Sequence, residues 1–154
     1  METIWVLLAD EGRARILAMR RAGRDLEEVD ELTDAAAHAD NADLRRDAYG
    51  RRSGADPGMG ASSMSSAGEE ALDHGADLFA RRVAAYLGEA LQRRSFERLR
   101  IAAAPRFLGR LRKHLDDAVR AVVVDEIDKD LLQLDRRTLT QRLFPPDRDD
   151  RGAA

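Results

Sequence analysis

The run Ile4-Trp5-Val6-Leu7-Leu8-Ala9, followed by Asp10-Glu11-Gly12 and then by Ala14-Arg15-Ile16-Leu17-Ala18-Met19, decides the fold class. The first run is continuously apolar, of strand length, and rich in β-branched and aromatic residues, as a strand buried on both faces should be. Asp10-Glu11-Gly12 carries turn chemistry, since Asp bonds the backbone ahead of it and Gly accepts a positive φ. The second run then returns as an antiparallel partner. A further turn around Arg21-Ala22-Gly23-Arg24 leads into Leu26-Glu27-Glu28-Val29-Asp30-Glu31-Leu32. The spacing of Leu26, Val29 and Leu32 fits a helix or a strand, and the short turns select a third meander strand.

Beyond this hairpin region the pattern changes. From about Thr33 to Gly68 the periodicity disappears, and Gly50, Gly54, Gly58, Gly60 and Gly68 share the stretch with five serines. Such a composition buries little apolar surface, which predicts a long flexible loop over about 33–68. Leu72, Ala76, Phe79, Val83, Leu87, Ala90 and Leu91 then recur at three- and four-residue steps, predicting a helix from about Glu69 to Arg94. Its first turn would hold Glu69 and Glu70 and its last Arg93 and Arg94, matching the helix dipole. A strand at Leu99–Ala104 follows, and Pro105 suits the first position of a new helix with Leu108, Leu111 and Leu115 on one face. A short helix near Asp116, a strand over about Val122 to Ile127 and a last helix capped by Asp135 complete the order. Three strands followed by helix–strand alternation give an α/β domain with a mixed sheet, antiparallel at first and parallel later. The domain spans about 1–144, and 145–154 is expected to be a disordered tail.

Composition narrows the chemistry. The 154 residues carry 36% charged side chains but a net charge of only −3, which argues against a chain that coats DNA or an acidic membrane. There is no cysteine, so disulfides, thiolate metal sites and thiol catalysis are excluded together. No apolar run approaches the roughly 20 residues of a membrane span. The opening residues have an acid where a signal peptide is basic, and their apolar stretch stops at Asp10. A cytoplasmic location without membrane insertion is the expectation.

One basic segment stands out. From Arg98 to Leu115 there are six Lys/Arg residues and no acid. Arg106, Arg110 and Lys113 are spaced to share one face of the helix after Pro105, whose first turn offers N–H groups to anions. With Arg51 and Arg52 from the loop, these residues form a candidate anion- or RNA-binding site, with RNA or the ribosome as partner. The competing reading is a solvated helix face whose arginines pair with Asp116, Asp117 or neighbouring acids. Asp10 is a candidate metal ligand for a nuclease, with Glu69, Glu70, Asp125 and Asp128 as conceivable partners, but Asp-Glu-Gly is also plain hairpin chemistry. His38, His74 and His114 lack ligand spacing, and neither the glycines nor the serines form a nucleotide cradle or a nucleophile elbow. No cofactor is indicated, no catalytic residue is assigned, and a homo-oligomer is compatible with the chain.

Two blocks carry a family resemblance. Trp5-Val6-Leu7-Leu8-Ala9-Asp10 with Arg13-Ala14-Arg15-Ile16 is one. The other is Ala104-Pro105-Arg106-Phe107-Leu108-Gly109, continuing through Leu111-Arg112-Lys113-His114-Leu115 to Lys129-Asp130-Leu131. Together they resemble the bacterial host attachment protein family, small single-domain proteins named for a requirement in attachment to host cells. The order of elements is also similar to the middle domain of archaeal and eukaryotic peptide-chain release factors. That likeness implies a ribonuclease-H-like sheet and a loop that orders on a partner. It departs in one respect: no glutamine lies between Thr33 and Gly68, so hydrolysis through a Gly-Gly-Gln tip is not implied.

Overall fold

The apolar opening run becomes the middle of a five-stranded sheet. A computed structural model describes residues 2–22, 24–34 and 60–146, apart from the side chains of 60–67. Strand β1 (Ile4–Ala9) pairs antiparallel with β2 (Arg13–Met19), and β2 pairs antiparallel with β3 (Glu27–Thr33). On its other side β1 runs parallel to β4 (Arg98–Ala103), which in turn runs parallel to β5 (Val123–Ile127). The strand order is therefore β3-β2-β1-β4-β5, a mixed open sheet in one α/β domain.

Period-two alternation sorts the side chains of β1 to two cores. Trp5, Leu7 and Ala9 face one side with Ile16, Leu99 and Ile101. Val6 and Leu8 face the other with Leu17, Met19 and Ala102. The first face is covered by helix α1 (Gly60–Gln92), helix α2 (Pro105–His114) and the short α3 (Asp117–Val122). Phe79, Val83 and Leu87 of α1, and Phe107, Leu108 and Leu111 of α2, supply its apolar contacts. The second face is covered by the segment after β5 and by α4 (Arg136–Leu143), through Leu131, Leu132, Leu139 and Leu143.

Helix α1 begins at Gly60 rather than near Glu69. Glu69 and Glu70 consequently lie inside it, and neither its first nor its last turn carries the complementary charges expected. Once a helix is nucleated, each added residue gains a backbone hydrogen bond for the dihedrals it fixes, so an uncharged, aperiodic lead-in can extend it. The expected loop therefore gives up 60–68 to α1 and Thr33 to β3, and 35–59 lie outside the described residues, as do 147–154 of the expected tail. The helix ends at Gln92, with Arg93 and Arg94 beyond it. Arg94 takes a left-handed φ of 58°. Its N–H donates to Leu91 O at 2.9 Å and the Ser95 N–H to Ala90 O at 3.0 Å, which closes the helix as a Schellman motif.

Aromatic packing ties the start of β1 to α1. Trp5 stacks on Phe96 at 4.8 Å and on Tyr86 at 6.2 Å between ring centroids. The Tyr86 hydroxyl donates to Asp30 Oδ2 at 2.9 Å, and burial with that bond pushes its pKa up to about 12. The Trp5 indole N–H is buried without a partner among the described residues.

Candidate functional site

Helix α2 starts where the parallel strand β4 stops. The Ala104 N–H donates to Ala9 O at 3.2 Å and its carbonyl receives the Leu108 N–H at 2.9 Å, so the helix grows directly from the sheet's upper edge. Pro105 stands at the first helical position, as its sequence context requires, and no side chain caps that end. The first-turn donors left over are the N–H groups of Arg106 and Phe107. Phe107 is turned inward against Phe79, with ring centroids 5.7 Å apart, and Arg106 is turned out to solvent.

The six basic residues of 98–115 divide into two groups. Four are occupied by the protein itself. Arg98 Nε donates to Glu2 at 2.9 Å, and Arg100 Nη1 donates to Leu143 O at 2.6 Å while its guanidinium lies 4.6 Å over the Phe144 ring. Arg110 Nη2 donates to Asp73 Oδ1 at 2.9 Å and its Nη1 to the Asp73 carbonyl at 3.2 Å. Arg112 donates through Nε and Nη2 to Glu126 Oε2, at 2.9 and 2.7 Å, a bond that raises its already high pKa. Arg106 and Lys113 are exposed and form no ion pair among the described residues.

The sequence places Arg106, Arg110 and Lys113 together on α2, but the structure assigns them different work. Arg110 is a fastener to α1, not a free cation. Its partner is Asp73, whereas Asp116, considered as a pairing acid, instead caps α3 by accepting from the Val119 N–H at 2.8 Å. One turn further along both helices, His114 Nε2 lies 2.9 Å from Asp77 Oδ1. That hydrogen bond, ahead of the nearby charges, holds the Asp77 carboxyl below the usual carboxylate range. Asp73 with Arg110 and Asp77 with His114 thus make a two-rung ladder between α1 and α2. Identical four-residue spacing on the two helices was the available signal. Arg51 and Arg52 lie outside the described residues.

Asp10 does turn work. Its Oδ1 accepts from the Gly12 N–H at 2.9 Å and the Arg13 N–H at 2.8 Å, which fixes the β1–β2 connection. Among the described residues no three acids or histidines converge in a way that could hold a metal ion. No described helix is long and apolar enough to cross a membrane.

Sequence reasoning missed Arg15. Its side chain is buried on the second face of the sheet, where Nη1 donates to Leu132 O at 2.7 Å and Leu134 O at 2.9 Å and Nη2 to Glu28. The comparisons with known proteins fit this architecture as a whole. A family model described as "Protein required for attachment to host cells" matches residues 5–143, which spans every described strand and helix apart from Ile4 at the start of β1. No curated protein matches the chain.

Proposed function

This chain belongs to the family of proteins required for attachment to host cells, and from that premise we propose that it is a non-enzymatic binding domain that holds an RNA backbone on α2. One observation carries the reading: among the described residues Arg106 and Lys113 stay exposed and without an ion pair, while every other cation of the segment is engaged by the protein. An exposed guanidinium beside uncapped first-turn N–H groups suits a phosphate oxygen, and a lysine two turns on suits the next contact along the strand. Backbone contacts of this kind give affinity without base specificity. The strand order and its mixture of antiparallel and parallel pairings support a ribonuclease-H-like description of the sheet. The reading locates the protein in the cytoplasm and makes its role in attachment an indirect one.

Filter binding of single-stranded RNA across a salt series tests this. Wild type should bind with an affinity that falls steeply as salt rises. Arg106→Glu/Lys113→Glu should lose most of that affinity and flatten the slope by about 0.7 per contact removed. Equal, feeble retention by wild type and the double variant would remove the proposal.

A further inference from the structure

The ladder between α1 and α2 has a sheltered end and a wet end. Its inner rung joins His114 to Asp77, with the two side chains 19% and 34% exposed. The outer rung joins Arg110 to Asp73, and there the carboxylate is 58% exposed. One four-residue step further along both helices, Arg106 and Glu69 are exposed and form no ion pair among the described residues. Asp73–Arg110 is thus the last rung to close, and an ion pair so exposed contributes little and opens readily.

Arg110 also stands in the row of cations set out above for RNA. Arg106, Arg110 and Lys113 follow at steps of four and three on α2, so successive members lie about 5–6 Å apart at Cβ. Gly109 lies beside both Arg106 and Lys113, and among the described residues nothing comes within 4 Å of where its Cβ would stand. A strand touching both free cations therefore has an open track that passes alongside Arg110. In the free protein that guanidinium is only partly satisfied. Its Nη2 donates to one carboxylate oxygen of Asp73 at 2.9 Å, its Nη1 to the Asp73 carbonyl at 3.2 Å, and its buried Nε has no partner among the described residues. A phosphate offers the fork the same charge with more oxygens, and Asp73 on release is already more than half in water. We propose, resting on that RNA reading, that Asp73 is an internal substitute for a phosphate. RNA arriving on Arg106 and Lys113 takes Arg110 from Asp73, so three cations hold the strand and the outer rung opens. The displaced contact holds affinity down by about three- to fivefold, the range of an exposed ion pair.

Titration of the full chain with single-stranded RNA at several salt concentrations tests the exchange. Asp73→Asn, which keeps the shape and removes the charge, should tighten binding about three- to fivefold. Arg110→Gln should weaken it and flatten the salt slope by about 0.7, the share of one contact. Asp73→Asn/Arg110→Gln decides the matter: it should bind as Arg110→Gln does, because Asp73 acts only through that guanidinium. An equal gain from Asp73→Asn in both backgrounds would make Asp73 a source of general repulsion and overturn the inference. So would an Arg110→Gln variant that keeps the affinity and slope of wild type. Nitrogen-15 NMR needs no variant and covers the case of Arg110→Gln folding poorly. The Arg110 Nε–H signal of wild type should move as RNA is added, and one that stays in place while RNA binds counts against the exchange. These outcomes, with dependence on Arg106 and Lys113 intact, strike the exchange alone. Absent RNA binding, or binding untouched by Arg106→Glu/Lys113→Glu, removes the RNA reading and the exchange with it.

Discussion

Arg15 shows how much one side chain can organise. It sits on β2 at 7% exposure, and its guanidinium serves the carbonyls of Leu132 and Leu134 in a segment without strand or helix of its own. Buried carbonyls need donors, and an irregular segment cannot supply them from a backbone ladder. Arg15→Met keeps the bulk and removes the donors. It should cost about 2–3 kcal/mol, read as a lower urea midpoint at unchanged m-value. Alternation along Arg13–Met19 puts Arg15 on the face opposite Ala14. A charged residue on a strand face ordinarily signals solvent, so its burial was not legible before the covering segment was seen. Arg94 offers the opposite case, a residue held where its type is disfavoured. With φ at 58° it closes α1 in the left-handed region that glycine occupies without strain. Arg94→Gly should therefore stabilise the fold by about 1 kcal/mol, seen as a rise of about 2–4 °C in Tm.

At the level of elements, the contact between α1 and α2 combines an apolar seam with the Asp73–Arg110 and Asp77–His114 pairs. The depressed Asp77 carboxyl has a defined consequence. In acid the unfolded chain takes up the proton that folded Asp77 resists, so this contribution is complete above the ordinary carboxylate pKa and is lost as pH falls through the lower, folded value. The Asp135 cap, held low chiefly by the Thr138 N–H, acts in the same direction. Urea midpoints should decline as pH drops below about 4, and Asp77→Asn should make that decline shallower. The elements themselves were largely legible. Pro105, Asp116 and Asp135 marked helix starts because capping chemistry is local, and all three stand where expected. The beginning of α1 was not, because glycine and serine signal loop by composition while the hydrogen bonds that extend a helix leave no trace in it.

Across the whole molecule the sheet divides two unequal layers. Among the described residues α1, α2 and α3 cover one face, whereas α4 and the irregular stretch before it cover the other. The thinner layer depends on few side chains, and Leu139 is fully buried among them. Leu139→Ala should cost about 2–4 kcal/mol, measured by chemical denaturation, and should free amide exchange in α4 before that in β1. Continuous apolar runs of strand length announced β1 and β2, and short turns followed by helix–strand alternation announced the mixed strand directions. The candidate site was legible only in part. Spacing placed Arg106, Arg110 and Lys113 on one helix, but which cation is free depends on Asp73, 37 residues upstream, and no local pattern encodes that. Trp5 closes the account, as the sole tryptophan of the chain. Its indole is dry, stacked between Phe96 and Tyr86, and spared any polar partner among the described residues. The protein thus contains its own optical gauge: blue-shifted emission reports an intact central strand, and a red shift reports the moment water reaches it.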